Sequence, residues 1–138
     1  MKILCTLSLI FLFSFVPAPD RIQIFLIGDS TLADKSPEVK PETGWGMKLP
    51  DFLDDQKVVV RNHAVNGRST KSFITEGRWE KVLQAMKFGD YVFIQFGHND
   101  QKDKDTTRYG APFEGYSKNL IKFVKEARAK GANPILLT

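Results

Sequence analysis

Residues 22–34 read IQIFLIGDSTLAD. A short β-branched and aromatic run has the composition of a strand buried inside a sheet. The run stops at Gly28 and passes at once to Asp29, Ser30 and Thr31. In an open parallel sheet, ligands bind in the crevice beyond the carboxyl ends of the strands. A serine at that place is either a hydroxyl held out on a tight turn or part of a polar group capping the next helix. What stands at the other strand ends bears on the choice.

The same pattern continues outward. KVVVRN (57–62), DYVFIQFG (90–97) and NPILLT (133–138) read as three further strands. GWGMKLPDFLDD (44–55) reads as a short helical region whose regularity Pro50 limits. RWEKVLQAMKFGD (78–90) places Trp79, Val82, Leu83 and Met86 at helical spacing, with Gly89 as the residue that stops the helix. YSKNLIKFVKEARAKG (116–131) does the same with Tyr116, Leu120, Phe123, Val124 and Ala127, and Gly131 as its stop. Strand alternating with helix predicts one α/β domain, a parallel sheet covered on both faces. The last strand has no helix after it, and a further β–α unit takes roughly 30 residues. The pattern therefore predicts the N-terminal portion of a longer fold, with the C-terminal part missing.

Composition narrows the class. Of 138 residues, 26% are charged and 42% hydrophobic, which is globular rather than disordered or coiled-coil. The net charge of +4 is spread along the chain, so no nucleic-acid stripe is expected. A mildly basic surface also suits an acidic polysaccharide. Lys2 precedes an apolar run, ILCTLSLIFLFSFV (3–16), and Val16 and Ala18 stand at the small-residue positions of a cleavage site. The run is shorter than the about 20 apolar residues of a membrane span. Residues 1–18 are thus expected to be a secretory signal and 19–138 the domain, secreted or periplasmic and free of the membrane after cleavage. Cys5, the single cysteine, lies in that signal, so stability would come from the core rather than from disulfides.

Three polar tips follow three strands: GDST after the first, NHAVNGRS after the second and GHND after the third. Ser30 could project its hydroxyl into the crevice. Gly67 could offer an unobstructed backbone N–H, and Asn99 its side-chain amide. Donors aimed where negative charge develops are often the largest catalytic term, and losing one costs roughly 2.7–4 kcal/mol. Each tip alone also fits a cap or a turn. In order, each directly behind a strand, they form a plausible acyl-transfer site. No G-x-G-x-x-G follows the first strand, which disfavours a dinucleotide site. NDQKDKD (99–105) carries Asp100, Asp103 and Asp105 without calcium-loop spacing or its glycine, so it reads as a solvated loop and no metal is expected.

These tips resemble the first three sequence blocks of the SGNH (GDSL-type) hydrolases. TGWG (43–46), NGRSTKSF (66–73), EGRW (76–79) and IQFGHND (94–100) resemble its rhamnogalacturonan acetylesterase branch. The resemblance implies a flavodoxin-like three-layer α/β/α fold. It implies Ser30 as nucleophile, with the Ser30 N–H, the Gly67 N–H and the Asn99 side chain as the oxyanion hole. The implied activity is removal of acetyl esters from an acetylated polysaccharide or oligosaccharide, here pectic rhamnogalacturonan, without a cofactor.

A serine hydroxyl needs a base. In that family the base is a histidine in an Asp-x-x-His block near the C-terminus, and residues 1–138 contain no such block. Truncation is the expectation that joins this to the unfinished sheet, and the fragment alone is expected to be inactive. Of the two histidines, His98 is expected to contact substrate or loop, and His63 to be a hydrogen-bonded structural residue. Arg68 is balanced between a bidentate contact to a substrate carboxylate and a loop salt bridge. Trp45 is balanced between a sugar platform and loop packing. The competing readings are a non-catalytic carbohydrate-binding remnant and an SGNH lipase or thioesterase.

Overall fold

Four runs of apolar residues pair in parallel: β1 (Ile22–Gly28), β2 (Val58–Asn62), β3 (Tyr91–Gln95) and β4 (Asn133–Leu136), in the order β2-β1-β3-β4. This computed structural model describes residues 20–138, so the signal segment expected over 1–18 lies outside the described residues. The chain steps from β1 to β2 on one side, then to β3 on the other. The strand order therefore reverses between β1 and β3, the place where open α/β sheets form their crevice.

Alternate residues of the strands face opposite layers. Phe25 and Ile27 of β1, with Val92 and Ile94 of β3, pack against α1 (Thr70–Thr75), α2 (Arg78–Ala85) and α3 (Ser117–Ala129). The helical spacing is borne out. Trp79, Val82 and Met86 are buried, as are Phe123 and Ala127, while Leu83, Leu120 and Val124 pack against them. Each fully buried side chain of this size contributes about 1.5–3 kcal/mol relative to exposure. Trp79 adds a tether between α2 and α3, its Nε1 donating to Glu126 Oε2 at 2.6 Å.

The other face, with Ile24 and Leu26 buried, is covered by Leu32, Trp45, Leu49 and Leu53. Here the expected helix over 44–55 gives way to two 3-10 turns, Trp45–Met47 and Leu49–Phe52. Pro50 removes a backbone donor. Gly44 lies so close to the Ala33 carbonyl that a β-carbon there would overlap it. The segment is pinned to the turn after β1 rather than free to coil.

Two other boundaries moved. The helix expected over 78–90 ends at Ala85, and Gly89 belongs to the turn before β3, where its N–H donates to Gly131 O at 3.0 Å. Gly131 does end α3: its N–H returns to Arg128 O (2.9 Å) and that of Ala132 to Ala127 O (3.0 Å), the two bonds of a Schellman stop. The short helix α1 was not expected. Its start is fixed by Ser69 and Ser72, which bond reciprocally as a capping box.

Candidate active site

The serine turn is built by its neighbours. The N–H groups of Leu32 and Ala33 return to Asp29 O at 3.3 and 3.0 Å, closing one turn that no helix continues. The Asp29 carboxylate accepts from the Thr31 N–H and hydroxyl, both at 2.9 Å. Ser30 is half-buried at the apex. Among the described residues, neither its hydroxyl nor its N–H is taken by another group. Above it, the Trp45 N–H donates to Thr31 O at 3.0 Å and its indole Nε1 to Gln95 Oε1 at 2.7 Å. Trp45 is thereby locked to the carboxyl ends of both β1 and β3.

The second tip leaves β2 with the N–H of Val65 on Gly28 O at 3.1 Å. Gly67 then turns with φ +75, a left-handed conformation that side chains disfavour. Its N–H has no partner among the described residues. Lys35 braces this turn. The lysine side chain is 3% exposed, paired with Glu42 at 2.7 Å, and donates to Asn66 Oδ1 at 3.0 Å.

Asn99 at the third tip is 1% exposed. Its Oδ1 accepts from Lys102 Nζ at 2.8 Å and its Nδ2 donates to Arg68 O at 3.0 Å. The amide nitrogen therefore faces the Gly67–Arg68 turn and keeps a second hydrogen to give. The neighbouring Asp100 is not solvated as expected but 3% exposed. It accepts from the Thr70 N–H (3.0 and 3.1 Å) and hydroxyl, and that hydroxyl accepts from Asn119 Nδ2 at 3.0 Å. Burial pushes the Asp100 carboxyl above its ordinary range, against the pull of the Thr70 hydrogen bonds. The network ties the start of α1, the third tip and α3 together and sets the spacing between Gly67 and Asn99.

The strand order brings Ser30, Gly67 and Asn99 to the carboxyl ends of three adjacent strands, with Ser30 in the middle. The histidines are less engaged. His63 stacks on Phe25, ring centroids 5.8 Å apart. Burial and then the charge of Arg61 hold its pKa below the usual imidazole value. Its ring has no hydrogen bond among the described residues, so stacking rather than the expected hydrogen bond holds it. His98 is exposed on the Asn99 loop. Arg68 does form the loop salt bridge, Nε to Glu76 Oε2 at 3.1 Å, with Nη1 on Asn66 O at 3.0 Å.

Sequence reading passed over Arg108. Its Nε and Nη2 grip Asp105 at 2.6 and 2.5 Å, and its Nη1 stands 3.5 Å from Gly67 O. Nothing in TTRYG signals this, because the contact spans 41 residues. A polar cleft of about 410 Å³ lies at the opposite, amino end of the sheet, between Arg21, Gln23 and Asp90. Among the described residues, no three His, Cys, Asp or Glu side chains gather as a metal site requires.

Residues 26–138 match the family described as GDSL-like Lipase/Acylhydrolase. The chain is 44% identical over 117 residues to rhamnogalacturonan acetylesterase RhgT of Bacillus subtilis (strain 168), covering 85% of this chain and 48% of that protein. It is 36% identical over 104 residues to the rhamnogalacturonan acetylesterase of Emericella nidulans, covering 74% and 39%. The chain thus spans about half the length, or less, of these curated relatives. The crystal structure of YxiM from Bacillus subtilis superposes with a TM-score of 0.76 at 31% identity, over 85% of this chain and 32% of that one. Axe2-W215I, an acetyl xylan esterase from Geobacillus stearothermophilus, shares the fold at a TM-score of 0.58 and 21% identity, over 83% and 57%.

Proposed function

The chain belongs to the GDSL-like Lipase/Acylhydrolase family, and we propose that it serves a serine esterase that removes acetyl groups from rhamnogalacturonan through an acyl-enzyme. The carrying observation is the Ser30 hydroxyl and N–H on a closed turn behind β1, without partners among the described residues, flanked by the Gly67 N–H, likewise without a partner among them, and by the oriented Asn99 amide. The named relatives that act on rhamnogalacturonan support the substrate class.

In this reading Ser30 Oγ attacks the acetyl carbonyl carbon as its proton leaves to a base. The carbonyl electron pair moves onto oxygen, and that oxyanion accepts from the Ser30 N–H, the Gly67 N–H and Asn99 Nδ2. Collapse breaks the bond to the sugar oxygen, which takes up the proton. Water then attacks the acetyl-serine by the same route and releases acetate. No described residue is assigned as the base: His63 is held on Phe25, and neither histidine is hydrogen-bonded to Ser30. Arg68 and His98, on the same two loops, are proposed substrate contacts. Secretion belongs to the same proposal and rests on the apolar run 3–16 and on a polymeric substrate.

The test, here and below, uses the native protein at its full length: acetate release from acetylated rhamnogalacturonan is measured for it and for its Ser30→Ala variant. Release by the native protein and none by a folded S30A variant is expected. Equal release by both overturns the assignment. Preference for long acyl chains over acetate would keep Ser30 and replace the substrate.

A further inference from the structure

Gly67 shares a cleft of about 510 Å³ with Arg68, Glu76, Asp105 and Arg108, within the size range of ligand sites. Its walls are charged. Glu76 takes Arg68 Nε at 3.1 Å and Arg78 Nε at 2.5 Å, while Asp105 takes the Nε and Nη2 edge of Arg108. The cleft's own lining thus pairs two guanidinium groups, Arg68 and Arg108, with two carboxylates, and Arg78, which lies outside that lining, adds a second guanidinium to Glu76. The Thr107 hydroxyl and then Arg108 hold the Asp105 carboxyl down to about 2. Asp105 therefore stays anionic through mild acid and keeps Arg108 in place.

Asp105 occupies the Nε and Nη2 edge of Arg108, while Arg68 is held at Nε by Glu76 and at Nη1 by the Asn66 carbonyl. Arg108 Nη1 makes only a long 3.5 Å approach to Gly67 O, weak by hydrogen-bond standards. Arg68 Nη2 has no partner among the described residues. The two side chains are 33% and 32% exposed. A guanidinium already held by such partners presents its remaining N–H groups at little further entropic cost, and its planar fork matches a carboxylate.

We infer that this cleft holds a uronate carboxylate of the polymer, with Arg108 and Arg68 as its contacts. The inference rests on the acetylesterase reading for its choice of polymer. It places the acidic sugar beside the oxyanion glycine and makes Arg108 a specificity residue.

The experiment is calorimetric titration of the native protein with a deacetylated rhamnogalacturonan oligosaccharide and with the same oligosaccharide after its carboxyl groups are reduced to alcohols. Reduction should weaken binding about tenfold or more. Arg108→Gln should weaken the acidic oligosaccharide to the same degree and leave the reduced one unmoved, and added salt should act on the acidic ligand alone. Equal affinity for the two ligands, or binding of neither, overturns the inference without reference to any variant. Hydrolysis of 4-nitrophenyl acetate by the native protein is measured alongside. Hydrolysis without discrimination refutes the subsite only, and discrimination without hydrolysis refutes the esterase reading only.

Discussion

Thr70→Val tests whether the two oxyanion loops are held together through Asp100. Thr70 is fully buried, and its hydroxyl donates to Asp100 and accepts from Asn119 Nδ2 at 3.0 Å. Valine keeps the shape and removes both bonds, leaving Asp100 only the Thr70 N–H. A hydrogen bond to a charged group is worth about 1.5–3 kcal/mol and a neutral one about 1, so the loss near neutral pH is about 2–4 kcal/mol. The pH dependence is diagnostic. Burial raises the folded Asp100 carboxyl above its ordinary value of 3.8. Between those two values the folded chain holds a proton that the unfolded chain has released. The stability this proton confers is complete below 3.8 and declines as pH rises through the folded value. Removing the Thr70 hydroxyl raises Asp100 further, so the variant should suffer most where the carboxylate is charged. Well below pH 3.8 the carboxyl is neutral, only bonds to a neutral acid are lost, and the deficit should shrink to about 1–2 kcal/mol. Urea unfolding at both pH values measures it, with Thr70→Ser as the control that keeps the hydroxyl. An equal deficit at both pH values, or one below about 0.5 kcal/mol, refutes the reasoning.

Other substitutions probe separate parts of the account. Asn99→Ala should lower kcat for acetate release about 10²–10³-fold with little change in KM, and steady-state kinetics on an acetyl ester would show an intact kcat if the amide has no role. Gly44→Ala forces a β-carbon into the Ala33 carbonyl and should cost about 3 kcal/mol; a thermal midpoint equal to that of the parent would contradict the pinning of the first crossover. The His63 pKa is lowered from 6.5 by burial and by Arg61. Its contribution is therefore full above 6.5 and is lost as pH falls through the folded value. His63→Phe should flatten the fall in unfolding free energy below pH 6.5, and an unchanged slope would mean the ring does not report this burial.

The sheet was legible because its strands are β-branched and aromatic on both faces, and α2 and α3 because their apolar residues recur at helical spacing. The three tips were legible for the same reason: each polar group stands directly behind a run whose end is plain. The first crossover was not, since Gly44 and Pro50 look like ordinary helix-region residues until the turn after β1 packs against them. Asp100 looked solvated because its acidic neighbours are. It is buried by Thr70 and Asn119, 30 and 19 positions away in the chain, and no local pattern encodes that pairing. Arg108 was illegible on the same ground. Gly89 misled because a turn before β3 uses the same glycine that a helix stop would use.

The central claim is that Ser30 is the nucleophile. Treating the native protein with a fluorophosphonate, which is attacked by an activated serine and stays bonded to it, and then mapping peptides by mass spectrometry addresses that claim directly. The account predicts one adduct, carried by Ser30, blocked by prior incubation with acetylated rhamnogalacturonan and absent from Ser30→Ala. An adduct on another residue, or none on a protein that still releases acetate, would contradict it.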